Sequence, residues 1–135
     1  MNLEVIVLII VAGLLLLVLI AFGARRAPRR LNQQYFEGHW RELLSLVKTP
    51  HGLIVAVIDA DKLLDEALKR RRFKGKTMGE RLVAAQRHFS DNDGVWYAHK
   101  LRNRLVHEPG IRLKEPDAKR ALAGVRQGLR DLGAL

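Results

Sequence analysis

The hydrophobic pattern divides the chain into two parts. Residues 5–22 form an unbroken apolar run without a charge, VIVLIIVAGLLLLVLIAF. From residue 31 onward, apolar residues recur at steps of three and four, which is the spacing of amphipathic helices. No period-two run of β-branched residues interrupts this spacing. The pattern therefore predicts an all-α protein, with one N-terminal transmembrane helix followed by an up-down bundle of about five helices.

The apolar run has the length of a membrane span, because about 20 helical residues cross a hydrocarbon core roughly 30 Å thick. A cleaved signal peptide is the alternative. The preceding stretch MNLE has no Lys or Arg, however, and FGA at residues 22–24 is a poor small-x-small cleavage site. The sequence favours an uncleaved anchor over residues 1–24.

The distribution of charge predicts the orientation of this anchor. RRAPRR at residues 25–30 follows the run directly, and no Lys or Arg precedes it. Because basic residues remain on the cytoplasmic side, we expect a single-pass protein of the cell membrane with its N-terminus outside and a cytosolic domain over residues 31–135. Residues 25–30 form a basic linker in which Pro28 keeps the membrane helix from continuing. The linker residues expected at the membrane surface are Arg25, Arg26, Arg29 and Arg30.

Local signals mark the ends of the other helices. Thr49-Pro50 offers an N-cap and a proline at the first helical position. Thr77 and Glu80 fit a capping box, and Asp93 is expected to cap the helix that follows it. The predicted helices cover residues 31–47, 51–72, 77–87 and 95–108, and Gly75 is expected to close the second of them. Glu115-Pro116 opens a last helix, which Gly124 and Gly128 are expected to loosen.

The composition adds a strong positive charge to this picture. The chain carries a formal net charge of +10, and every Lys and Arg follows residue 24. Such a balance suits anionic partners, either the phosphate backbone of RNA or the negative inner leaflet of the lipid bilayer. There is no cysteine, which excludes disulfides and thiolate chemistry.

The densest basic cluster is RRRFKGK at residues 70–76. It is interpreted as a phosphate-contacting patch for RNA, with Phe73 available to stack on a base. The alternative is a solvated helix end that the helix dipole favours. The candidate nucleic-acid-binding residues are Arg70, Arg71, Arg72, Lys74, Lys76 and, further along the chain, Arg104.

The stretch KLRNRLVHEPG at residues 100–110 carries the candidate chemistry. Cleaving RNA without a metal needs a base for the 2′-hydroxyl proton and a cation for the developing negative charge on the phosphate. His107 suits the first task and Arg102 the second, while Asn103 is expected to hydrogen-bond His107 and fix its ring. In a straight helix Arg102 and His107 point about 140° apart. A bend before Pro109, or a second copy of the helix, would bring them together.

RNRLVH at residues 102–107 resembles the Arg-(four to six residues)-His motif of the HEPN superfamily, small all-α domains named for higher eukaryotes and prokaryotes nucleotide binding. IDADKLLDEALKRR at residues 58–71 is similar to the second helix of small bacterial members. The resemblance covers roughly residues 31–130 and implies a metal-independent ribonuclease whose site forms at a homodimer interface. It would make Arg102 and His107 the catalytic pair, with Asn103 as the polar residue beside Arg102.

A non-catalytic module is the alternative function, using the basic face to bind acidic lipid or a partner protein. The sequence leaves open whether the chain is an enzyme, and no metal site or cofactor is predicted. Asp59, Asp61 and Asp65 are interpreted as members of surface ion pairs with nearby lysines. His99 and Trp96 are expected to serve packing.

Overall fold

The computed structural model describes residues 2–26 and 29–135, and within them all regular structure is helical. The all-α class predicted from the sequence is therefore confirmed for these residues. Pro28, which was expected to end the membrane helix, lies outside the described residues. The elements are α1 (Leu3–Arg26), α2 (Gln33–Leu46), α3 (Pro50–Arg70), α4 (Met78–Ala85), a single 3-10 turn (Gln86–His88), α5 (Asn92–His107) and α6 (Glu115–Asp131).

Helix α1 is the apolar helix predicted at the N-terminus. The most apolar 18-residue window within Leu3–Arg25 has a mean hydropathy of 3.5, and none of it is buried against the rest of the protein. Length and composition therefore allow it to cross a membrane, and a signal sequence at an N-terminus meets the same two criteria.

The core is built around α3. Its apolar stripe, which includes Val57, Leu64 and Ala67, is buried as its spacing predicted. Helix α2 adds Phe36 and Trp40, and further apolar residues from α5 and α6 complete the cluster. An apolar stripe of α5 also faces the core: Ala98 and Leu101 are buried and Leu105 is partly buried.

The predicted N-caps of α3 and α4 are present, but the capping box of α4 is only half formed, because Glu80 accepts from the Lys76 N–H instead of the Thr77 N–H. The Thr49 hydroxyl accepts the Gly52 N–H at 3.0 Å, and the Thr77 hydroxyl accepts the Glu80 N–H at 3.2 Å. The cap of α5 was predicted two residues too late. Asp91 caps the helix by accepting the Gly94 N–H at 2.9 Å, so Asp93 falls in the first turn, where its charge favours the positive end of the helix dipole.

Helix α3 ends earlier than predicted. It stops at Arg70, and Arg72 takes the left-handed conformation (φ 65°) that was expected of Gly75. The Arg72 N–H bonds the Lys69 carbonyl at 2.9 Å and the Phe73 N–H bonds the Leu68 carbonyl at 3.1 Å. These two bonds form a Schellman motif in which an arginine stands where glycine is usual.

The glycines of α6 do not loosen it, contrary to the sequence prediction. A Cβ on Gly124 would lie 2.4 Å from the Gly94 carbonyl oxygen of α5, and one on Gly128 would lie 3.0 Å from Val95 Cγ2. Their missing side chains let α5 and α6 approach closely. Helix propensity describes glycine only as unfavourable within a helix, so it does not predict this close contact between α5 and α6.

Candidate functional site

The motif lies on the last two turns of α5. The helix stays regular through His107, and the Glu108 N–H still bonds the Arg104 carbonyl at 2.8 Å. Pro109 therefore ends the helix without bending the turn before it. Arg102 and His107 keep the angular separation of about 140° expected from five residues of straight helix.

Arg102 belongs to a closed group of four polar side chains, which we call the polar ring: Asp61, His99, Asn103 and Arg102. The Asp61 carboxylate lies 3.1 and 3.2 Å from His99 Nδ1. His99 Nε2 lies 3.3 Å from Asn103 Nδ2, and Arg102 Nη1 donates to Asn103 Oδ1 at 2.9 Å. Arg102 Nε closes the ring as an ion pair, 3.6 Å from Asp61 Oδ2.

One arrangement of protons satisfies the three hydrogen-bonded contacts of the ring and leaves the buried Arg102 Nε without a hydrogen bond. His99 donates from Nδ1 to Asp61 and accepts at Nε2 from the Asn103 amide, whose oxygen accepts from Arg102. This arrangement places a proton of His99 on Nδ1, facing the Asp61 carboxylate. It also fixes the orientation of the Asn103 amide, which one contact alone would leave ambiguous.

Asp61 anchors the ring because it is the most buried member, only 2% exposed. A buried carboxylate needs paired charge and hydrogen bonds, and His99 and Arg102 supply both. The side chain of Arg102 is about a quarter exposed (27%), although its Nε is buried. Apart from its bond to Asn103, it makes no side-chain hydrogen bond to any other described residue, so its outer N–H groups remain available to a ligand.

His107 is placed apart from this ring. Its side chain is exposed and lines a shallow depression with Ile54, Val106, Pro109 and other residues of the helix end. It makes no side-chain hydrogen bond within the part of the chain that the structure describes. The prediction that Asn103 hydrogen-bonds His107 is wrong, because the Asn103 amide contacts His99 and Arg102 instead.

The acidic residues of α3 have unlike roles. The ion pairs of Asp59 with Lys62 (3.1 Å) and of Asp65 with Lys69 (2.8 Å) are present as predicted. The prediction is wrong for Asp61, which faces the protein interior. Asp61 follows Val57 by four residues, which places it on the buried stripe of α3; a charged residue in a core register is the signal that could have identified it.

Asp65 makes a second contact that the sequence did not suggest. The Arg81 guanidinium, almost fully buried, binds its carboxylate through Nε at 2.7 Å and Nη2 at 2.9 Å. Burial alone would raise the pKa of the Asp65 carboxyl, but the hydrogen bonds from Arg81 and Lys69 outweigh burial and hold that pKa below its ordinary value. This pair ties α4 to α3 and supports the fold.

The RRRFKGK cluster lies far from His107. His107 adjoins Ile54 near the start of α3, whereas Arg70 ends that helix sixteen residues later, about 24 Å along its axis. The candidate nucleic-acid-binding residues 70–76 therefore do not surround the candidate catalytic histidine within one chain. Arg104, nearer to it, is exposed and paired with Glu108 at 3.4 Å.

The cluster instead lies at the end of α1. Arg72 Nη1 donates to the Arg25 carbonyl at 2.7 Å, and Arg70 pairs with Glu66 and lies over the Tyr35 ring at 4.3 Å. Phe73 packs edge-on against His88, with ring centroids 5.0 Å apart. Its ring is partly buried and engaged within the fold, contrary to the prediction that it is available to stack on a base.

No group of three His, Asp or Glu side chains is placed to hold a metal ion in the described part of the chain. In comparisons with known proteins, no family model, no curated protein and no solved structure matches this chain. The likeness to the HEPN superfamily therefore remains a resemblance of sequence motif, and function is argued from the site.

Proposed function

We propose that the chain is a membrane-anchored, HEPN-like, metal-independent endoribonuclease that acts as a homodimer. The observation that supports this best is the polar ring. It holds the Arg102 guanidinium at the protein surface against a buried carboxylate and leaves its outer N–H groups free. A preoriented guanidinium is suited to bind the non-bridging oxygens of a phosphodiester.

The dimer follows from the separation of Arg102 and His107. A straight α5 directs them about 140° apart, so a single chain does not form the pair. In a two-fold dimer each site would combine Arg102 of one copy with the partner subunit's His107, and the site would occur twice. Val106 lies on the same face of α5 as Arg102 and Asn103 and is 48% exposed, as expected of a residue that a second copy covers.

The proposed chemistry divides between three side chains. His107 takes the proton of the 2′-hydroxyl, whose oxygen attacks the phosphorus and forms a 2′,3′-cyclic phosphate. The 5′-oxygen leaves and takes up a proton. Arg102 stabilises the negative charge that develops on the phosphate oxygens, and Asn103 keeps Arg102 in position through its 2.9 Å hydrogen bond.

The proposal includes a location. We assign α1 as an uncleaved anchor in the cell membrane, with residues 29–135 in the cytosol, because the basic residues follow the apolar helix and none precedes it. RNA is present on that side of the membrane.

The test uses the full chain in lipid nanodiscs with labelled RNA and excess EDTA. Wild-type protein is expected to cleave, and Arg102→Ala and His107→Ala are expected to lose at least about 100-fold in rate. His39→Ala is the control, because His39 is an exposed histidine on α2, away from the motif. An equal loss in His39→Ala, or cleavage that survives in His107→Ala, contradicts the assignment.

Mixing the two inactive variants tests the composite site. Random exchange makes about half of the dimers mixed, and each mixed dimer restores one of its two sites, so the mixture should regain about a quarter of the wild-type rate. Catalytic pairs formed within one chain would give no recovery. If the wild type is folded and dimeric but leaves RNA intact, the non-catalytic interaction module is the better assignment.

A further inference from the structure

The end of α3 and the end of α1 form one basic surface. Arg72 Nη1 donates to the Arg25 carbonyl, which joins the cluster after α3 to the last turn of the apolar helix. Tyr35, near the start of α2, lies beneath Arg70. The end of α1 and the start of α2 therefore both contact the cluster. We call this surface the basic end; its residues are Arg25, Arg29, Arg30, Arg70, Arg71, Arg72, Lys74 and Lys76.

Most of this positive charge is not neutralised by the protein. Arg70 pairs with Glu66, but within the described residues no carboxylate forms an ion pair with Arg71, Arg72, Lys74 or Lys76. Glu80 comes close, yet it accepts from the backbone N–H of Lys76 rather than from its ammonium. The basic end therefore offers unpaired cations to an external anion.

The backbone of Arg72 gives an independent reason to assign its side chain a role. Helix α6 ends in the same Schellman motif as α3, with the Gly133 N–H bonded to the Arg130 carbonyl at 2.9 Å and the Ala134 N–H to the Leu129 carbonyl at 2.8 Å. There the left-handed position is a glycine (φ 78°), whereas at the end of α3 it is Arg72 (φ 65°). An arginine is strained in this conformation and a glycine is not. The backbone conformation alone would favour glycine at this position, so we attribute the arginine to a role of its side chain.

We propose that the basic end binds the anionic phospholipid headgroups of the leaflet in which α1 ends, and so holds the helical domain against the membrane. Three observations favour headgroups over RNA. The surface begins where an 18-residue apolar run ends, at the depth of the phosphates. It lacks an available aromatic ring, because Phe73 packs on His88. It also lies about 24 Å along α3 from the neighbourhood of His107.

This inference goes beyond the proposed ribonuclease; its first two grounds are independent of that function, and only the third, the distance from His107, rests on it. It requires α1 to be inserted in the membrane. Each Lys or Arg near an anionic leaflet strengthens the attraction roughly fivefold, so a surface of this size would be held firmly at low salt and released at high salt.

The test measures the reactivity of lysines in the full chain with an amine-acylating reagent, read by mass spectrometry. The chain is compared in nanodiscs of zwitterionic lipid and in nanodiscs that include anionic lipid. Lys74 and Lys76 are expected to react several-fold more slowly in the anionic nanodiscs, and high salt is expected to restore their reactivity. Lys48 and Lys114 are the controls, since both are exposed and Lys48 lies beyond the opposite end of α3. They are expected to be unaffected.

Arg72→Gly separates recognition from folding. Glycine fits the left-handed position better, so the variant should melt no lower than the wild type, yet removing one cation should weaken the attraction about fivefold and lower the salt concentration that releases Lys74 and Lys76. Equal reactivity in both nanodiscs, or protection that Arg72→Gly leaves unchanged, overturns the proposal. The proposal is also overturned if added RNA or inorganic phosphate protects Lys74 and Lys76 in zwitterionic nanodiscs more strongly than anionic lipid does.

Discussion

At the scale of single residues, the main difference between expectation and structure concerns Asp61. The spacing of acids and lysines along α3 predicts surface ion pairs, and this is correct for Asp59 and Asp65. Asp61 instead faces α5, where its partners His99 and Arg102 lie 38 and 41 residues further along the chain. Local spacing reports only contacts within a helix, so a pairing between helices cannot be read from it.

Removing Asp61 should therefore cost far more than removing Asp59. Asp61→Ala leaves His99 and Arg102 without their buried acceptor, and we expect it to lower the free energy of unfolding by about 1–3 kcal/mol. Asp59→Ala, two residues away, breaks an exposed pair with Lys62 and should cost no more than about 0.5 kcal/mol. Chemical denaturation in detergent measures both; similar values for the two variants would contradict the polar ring.

The Asp65–Arg81 pair predicts how stability depends on pH. The pKa of Asp65 is lower in the folded protein than in the unfolded chain. Its stabilisation is therefore present above about pH 4, the unfolded value, and is lost as the pH falls through the folded pKa. Asp65→Asn should be several kcal/mol less stable than the wild type at pH 7, roughly as for a broken buried pair, and the difference should shrink below pH 4. Denaturation curves measured across this pH range test whether the difference in stability between Asp65→Asn and the wild type shrinks as the pH falls. Glu37→Gln, on the exposed side of α2, is the control.

At the scale of elements, the sequence predicts helices well and their contacts poorly. Thr49 and Thr77 signal the starts of α3 and α4 through side-chain chemistry confined to three residues, and both caps are present. The end of α3 and the close contact of α5 with α6 are not predictable in this way. The first depends on Arg72 taking the left-handed position where glycine is usual, and the second on Gly94, which is distant in the chain from Gly124.

Gly124 provides the test of that contact between helices. Helix propensity alone would make Gly124→Ala stabilising by about 1 kcal/mol. Because the new Cβ would lie 2.4 Å from the Gly94 carbonyl oxygen, we expect a net loss of about 1–3 kcal/mol instead. Gly38→Ala in α2 is the control, since nothing lies within 4 Å of its added Cβ, and it should gain about 0.5–1 kcal/mol. A gain in both variants would mean that α5 and α6 pack less closely.

At the scale of the whole molecule, α3 separates two surfaces with different proposed tasks. Near its end are the basic end and the last turn of α1; near its start is the exposed His107. The polar ring, with Asp61 at the middle of α3, lies between them. If α1 spans a membrane, the basic end would face the lipid and His107 would lie on the far side, turned toward cytosolic RNA. The sequence contains both motifs but does not show that one helix holds them about 24 Å apart.

The proposed dimer gives the last prediction, which concerns Val106. Outside α1, few large apolar side chains are exposed in the described part of the chain, and two of them are valines of similar exposure: Val106 on α5 (48%) and Val83 on α4 (53%). If α5 forms the dimer interface, Val106→Glu places one carboxylate from each subunit in that interface and should convert the dimer to a monomer. It should also abolish RNA cleavage while Arg102 and His107 remain in place. Val83→Glu makes the same chemical change on another face and should leave both properties intact. Sedimentation in detergent measures the association. A wild type that is monomeric, or a Val106→Glu variant that remains dimeric and active, would exclude α5 as the interface and with it the shared site.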